Sequence, residues 1–93
     1  MKSILQRNKY CYVCGSETSL HNHHVFFGTA NRKLSDEDGC TVWLCVQHHT
    51  GAFGVHNNRA LDLRIKRNCQ TAWQETFNKT TEDFIRRYGK SYL

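Results

Sequence analysis

Two short motifs constrain this chain more than anything else in it: Cys11-Tyr12-Val13-Cys14 and Cys45-Val46-Gln47-His48. Structural zinc sites are closed and tetrahedral, and a fold builds them by bringing two ligand pairs together. A C-x-x-C and a C-x-x-H with thirty residues between them (15–44) therefore predict that the two segments meet around zinc. In 93 residues that staple matters, because so short a chain buries only a small core and gains much from a metal. Gly15 suits the tight turn of a zinc knuckle. A thioredoxin-like redox pair would need a helix after the first cysteine and a βαβ setting, and Gly15-Ser16-Glu17-Thr18-Ser19 offers neither. The cysteine count is five, an odd number, which also favours zinc thiolates over a disulfide framework. Cys40 competes as a ligand; otherwise Cys40 and Cys69 read as small buried hydrophobes.

The expected fold class is α+β, one domain over 1–93. Residues 1–10 are a polar, basic lead-in arm, 11–56 hold the zinc knuckle and a hairpin with a metal site, and 57–93 are helical. Residues 20–27, ending in Val25-Phe26-Phe27, make a first strand and Thr41-Val42-Trp43-Leu44-Cys45 a second. The polar, glycine-bounded stretch 28–39 between them reads as a long loop. Asn57 or Asn58 caps a helix running to about residue 77, with Leu61, Ile65, Cys69, Ala72 and Thr76 along one stripe and Trp73 beside it. Thr80 or Thr81, followed by Glu82 and Asp83, caps a last helix through Tyr88 that Gly89 ends.

All six histidines fall between His21 and His56. Imidazole is the commonest metal ligand and the side chain that titrates nearest neutrality, so the cluster can supply both an ion and a proton acceptor. With Cys45 and His48 assigned to zinc, His23, His24, His49 and His56 remain, enough for an open metal site with a base beside it. His21 reads as a solvent-facing strand residue. The charge balance adds a partner: 13 Lys and Arg against 8 Asp and Glu give +5, which favours a polyanion. Arg32, Lys33, Arg59, Lys66 and Arg67 are the candidate phosphate contacts. Such contacts position a nucleic-acid backbone without reading its sequence. No base-reading helix is evident, so little sequence specificity is expected.

The knuckle, the His23-His24 pair, a following loop with Asn31, and a strand ending in Leu44-Cys45-Val46-Gln47-His48-His49 resemble the HNH, or ββα-metal, family of nucleases. His23-His24-Val25-Phe26-Phe27-Gly28 together with Asn31-Arg32-Lys33-Leu34-Ser35 is similar to small phage-type members related to recombination-enhancement nucleases. The resemblance covers roughly residues 11–70. It implies hydrolysis of DNA phosphodiester bonds, with His23, His49 and His56 holding a catalytic divalent cation (magnesium, manganese, nickel or zinc). It also implies His24 as general base, Asn31 as the residue steadying the loop under that base, and a recombinase filament or other phage DNA-processing proteins as partners. Two departures stand out. His48 replaces the usual fourth zinc cysteine, leaving open an exchange of roles between His48 and His49, and the gap from His49 to His56 is long and broken by glycines.

Two other readings share the charge and the zinc: a non-catalytic nucleic-acid-binding module, and a protein interaction domain using Trp43, Trp73 and the late aromatics. No stretch is apolar enough to span a membrane and no signal-peptide core follows Met1, so the expected location is intracellular and cytoplasmic.

Overall fold

A computed structural model describes residues 1–93, running β1 (Leu20–His24), α1 (Thr29–Asp38), β2 (Thr41–Cys45), α2 (Val46–His49), α3 (Arg59–Thr76) and α4 (Thr81–Tyr88). This is a small α+β fold. The two strands are antiparallel, with Asn22 opposite Trp43 and His23 opposite Val42. Cross-strand partners share a face, so His21, His23, Val42 and Leu44 point one way and Asn22, His24, Thr41 and Trp43 the other. The first strand is shorter than expected, because Val25 and Phe26 turn down into the core.

The stretch expected to be a loop is largely a helix. α1 carries only Ala30 and Leu34 as apolar residues and has no side-chain cap at Gly28, so the usual helix signals are missing. Polar contacts to distant residues hold it instead. Buried Ser35 donates to the Phe26 carbonyl (2.6 Å) and accepts from its N–H (3.2 Å), while Asn31 Nδ2 donates to the Tyr88 carbonyl (3.1 Å). At its end Gly39 adopts φ 73°, and a Cβ there would lie 2.2 Å from the Lys2 carbonyl oxygen, so only glycine lets the N-terminal arm pass.

α3 starts where Asn58 accepts from the Leu61 N–H (3.1 Å). Its buried face is Ile65, Cys69 and Trp73 together with Asp62, Lys66 and Gln70; Thr76, expected on the stripe, is exposed, and Trp73 takes the place given to Ala72. α4 opens with a capping box between Thr80 and Asp83 and closes at Gly89. Phe26, Trp73, Phe84 and Tyr88 form the aromatic centre, with Phe26–Tyr88 and Phe84–Tyr88 ring centroids each 4.7 Å apart and Trp73–Phe84 5.3 Å. Asp38, at the end of α1, accepts from Trp73 Nε1 (2.9 Å), Tyr88 Oη (2.7 Å) and Arg87 Nη2 (2.8 Å), tying α1 to both α3 and α4. No helix is long and apolar enough to cross a membrane.

The arm is not a free lead-in. Gln6 is buried, its Nε2 donating to the Tyr10 carbonyl (2.6 Å) and its Oε1 accepting from the Trp43 N–H (2.7 Å). Tyr12 N–H donates to the Trp43 carbonyl (2.8 Å), so the arm and the knuckle together satisfy the outer edge of β2 at Trp43.

Candidate metal centres

The knuckle and the end of β2 converge: one donor atom each from Cys11, Cys14, Cys45 and His48 lies within 4.8 Å of the others. Cys14 and Cys45 Sγ are 3.8 Å apart, and His48 Nδ1 is 3.2 Å from Cys45 Sγ and 3.8 Å from Cys11 Sγ. Ligands about 2.3 Å (sulfur) and 2.0–2.1 Å (nitrogen) from a tetrahedral zinc stand about 3.8 Å apart as S···S and about 3.6 Å as S···N, so these residues fit zinc. Burial pushes the Cys11 thiol up, but backbone N–H groups of Cys45, Cys14 and Val13 outweigh it and hold the thiol at about 6, favouring the thiolate a metal needs.

Cys40 is not part of this group. It is buried beside Cys69 and under the Tyr88 hydroxyl (3.5 Å), where a thiol hydrogen bond with Cys69 lowers its own pKa and raises that of Cys69.

His23, His49 and His56 form the second group, again with donor atoms within 4.8 Å of one another. His49 Nε2 and His56 Nε2 are 3.2 Å apart, near the roughly 3.3 Å edge expected for two imidazoles on one tetrahedral ion. Adjacent histidines thus divide the work: His48 faces the thiols and His49 the histidines. Glycines close the long gap to His56. A Cβ on Gly54 would lie 2.5 Å from the His49 carbonyl oxygen and one on Gly51 2.8 Å from Gln47 Cα, so both let the loop double back onto α2. Val55 N–H then reaches the His48 carbonyl (3.0 Å), and Asn57 Nδ2 ties down the carbonyls of Thr50 (3.1 Å) and Gly51 (2.9 Å).

His23 is 3% exposed, and burial followed by the neighbouring charges of His49, His56, His24 and Lys66 holds it at about 3. His49 is lowered too, by burial and then by His56 and His21. Both stay neutral with a lone pair free, the state a metal ligand requires. His21, expected to face solvent, is exposed but has a partner: its Nδ1 lies 2.9 Å from Nδ1 of His49, on the side of that ring away from His56. Metal-binding imidazoles are commonly oriented through the second nitrogen in this way.

Neighbouring strand residues face opposite ways, yet His23 and His24, at the end of β1, both line one hollow of about 230 Å³, together with Asn22, Phe27, Arg32, His49 and His56. His24 Nε2 contacts Asp36 Oδ1 at 2.8 Å, and with Nε2–H donating to the carboxylate the lone pair is on Nδ1. The only trace of Asp36 in the sequence is its place in the acidic run Asp36-Glu37-Asp38, inside a polar stretch that reads as a loop.

Three residues expected at the site are elsewhere or otherwise engaged. Asn31 does not line the hollow; its amide donates to the Tyr88 carbonyl and joins α1, the helix that also carries Asp36, to α4. Lys66 is no free phosphate contact, being buried against Asp62 (2.7 Å) and over the Phe27 ring (4.0 Å). Arg67 is exposed, but its Nε donates to the Tyr92 carbonyl (3.0 Å). Arg32 and Lys33 are exposed on α1, and Arg59 is exposed at the start of α3 beside His56 and Asp62.

No family model, curated protein or solved structure matches this chain.

Proposed function

We propose that this protein is a metal-dependent endonuclease of the ββα-metal type that hydrolyses DNA phosphodiester bonds with little sequence specificity. One observation carries the reading: a three-histidine metal group and a separate, carboxylate-held histidine line the same small hollow beside an exposed arginine. A structural zinc site alone would leave that second set without a purpose. A divalent cation held by His23, His49 and His56 would supply positive charge for the scissile phosphate and for the departing 3′ oxygen.

The chain's own residues do the rest. Asp36 fixes the His24 ring and its tautomer, so that Nδ1 can take the proton of a water attacking phosphorus. The new P–O bond forms from that water, the bond to the 3′ oxygen breaks, and the 3′ oxygen gains a proton from solvent. Arg32 is placed to bind a phosphate oxygen at the rim. Lys66 stays paired with Asp62 behind Phe27 and adds positive potential near His23 from a distance. Zinc held by Cys11, Cys14, Cys45 and His48 would fix the knuckle against β2 and α2 and so orient His49 immediately after His48.

The test is nicking of supercoiled plasmid by metal-stripped protein re-supplied with zinc alone or with zinc plus magnesium, manganese or nickel. Nicked circles are expected with a suitable cation, and loss of a general base predicts a drop of about 100-fold or more in His24→Ala. No nicking with any cation, in protein that retains zinc and binds DNA, would instead make this a nucleic-acid-binding module.

A further inference from the structure

Outside the histidine hollow, the largest concavity is an open groove of about 620 Å³ between the N-terminal arm and the outer face of the sheet. Asn22, Thr41 and Trp43 floor it, and Lys2, Arg7 and Lys9 stand on its arm side; no acidic side chain lines it. Trp43 is half-buried with its ring available to the groove, and the Lys9 ammonium sits 4.4 Å from that ring's centroid. The arm is a fixed wall, tied by Gln6 to Trp43 and by the Ile4 N–H to the Gly39 carbonyl (2.9 Å).

The groove adjoins the histidine hollow, because Asn22 borders both. Asn22 and His24 lie two residues apart on β1 and on the same sheet face as Trp43, a step of about 6.8 Å along the strand. An aromatic ring, several cations and a path to the candidate base make a particular combination. Duplex DNA keeps its bases stacked inside and offers an aromatic side chain in a groove nothing to stack on, whereas a single strand presents both a base face and its phosphates.

From this we infer that the groove is a subsite for an unpaired nucleotide of a single DNA strand, with its base stacked on Trp43 and its flanking phosphates on Lys2, Arg7 and Lys9. Lys9 holds the ring face until the base arrives and then turns to a phosphate. The inference rests on the nuclease reading for its direction: the strand runs from Trp43 past Asn22 to His24, so the stacked nucleotide flanks the bond to be cut.

Binding is measured by fluorescence anisotropy with a labelled twelve-nucleotide oligothymidylate and with a labelled hairpin duplex, using zinc-loaded protein without a second cation. Trp43→Ala is expected to weaken oligothymidylate binding about 5- to 150-fold, with the duplex little affected and Trp43→Phe close to wild type. Unchanged oligothymidylate affinity in Trp43→Ala, or equal losses on the two ligands, overturns the subsite. Lys2 and Lys9 are exposed, so Lys2→Ala/Lys9→Ala tests the same groove without touching the core. The salt slope for the single strand should fall by about 1.4, and an unchanged slope overturns the subsite as well. Plasmid nicking scores the nuclease reading separately. Nicking without a Trp43 effect sinks the groove alone, and Trp43-dependent strand binding without nicking sinks the nuclease alone.

Discussion

Asp38→Ala should destabilise the protein more than any other single carboxylate truncation. Its carboxylate accepts from Trp73 Nε1, Tyr88 Oη and the Arg87 guanidinium, and these partners come from α3 and α4. Truncation leaves the Trp73 N–H and the Tyr88 O–H without this acceptor inside the aromatic core. A buried donor left unpaired costs about 1–3 kcal/mol, and the Tyr88 hydroxyl keeps a fallback in the Leu34 carbonyl at 3.2 Å. The Arg87 side chain is about a third exposed, so its guanidinium can turn to water and its charge is discounted. Together these give about 2–4 kcal/mol, against a total stability of roughly 5–14 kcal/mol for a chain of this size. At roughly 4–8 °C per kcal/mol, the midpoint should fall by roughly 8–32 °C. Urea unfolding followed by far-UV circular dichroism, with zinc present, measures the difference directly. Glu37→Ala, an exposed neighbour on the same helix, is the control and should change stability by less than about 0.5 kcal/mol. A loss below about 1 kcal/mol for Asp38→Ala would refute the view that this polar hub, rather than an apolar stripe, seats α1.

Cys14→Ser should lower zinc content well below one per chain and reduce the unfolding midpoint, read by metal analysis and calorimetry; full zinc content would remove Cys14 from the ligand set. Because His23 is held at about 3, below imidazole's ordinary value of about 6.5, its contribution to stability is full above pH 6.5 and is lost as pH falls toward 3. Between pH 7 and 5.5 wild type should lose about 1.2 kcal/mol more than His23→Gln in urea titrations of zinc-loaded protein, and parallel curves would contradict it. Gly54→Ala should keep zinc yet weaken binding of a second cation, since its methyl group meets the His49 carbonyl and pushes the loop carrying His56 away; calorimetric titration with manganese reads the effect.

Much of the fold lies open in the sequence where local signals agree with packing. The Asn58 cap, the Thr80–Asp83 box and the Gly89 stop bound α3 and α4 as the residues suggest, and β2 falls on its β-branched, aromatic run. α1 was hidden because its anchors, Asn31, Ser35 and Asp38, are polar and pair with residues at Phe26, Trp73, Arg87 and Tyr88. No periodicity reveals such contacts. The Cys11, Cys14, Cys45 and His48 group was legible because C-x-x-C and C-x-x-H spacing carries the chemistry on its face. The His23, His49 and His56 group came from the family resemblance, and the roles of His48 and His49 stayed interchangeable until α2 placed them. The partners that orient the histidines were not legible. Asp36 reaches His24 only once α1 exists, and His21 meets His49 only once the glycine loop and the zinc knuckle have placed α2 beside β1. The basic arm read as a loose lead-in for the same reason, since Gln6 takes the place of a β-strand partner through its side chain.

The most direct test of a cation-dependent nuclease separates holding the ion from moving the proton. Zinc-loaded wild type, His23→Ala and His24→Ala would be titrated with manganese by calorimetry and assayed for plasmid nicking at saturating manganese. The account predicts one manganese site in wild type, the same affinity in His24→Ala with cleavage down by about 100-fold or more, and loss of both binding and cleavage in His23→Ala. Manganese binding unchanged in His23→Ala, or wild-type cleavage by His24→Ala, would contradict it.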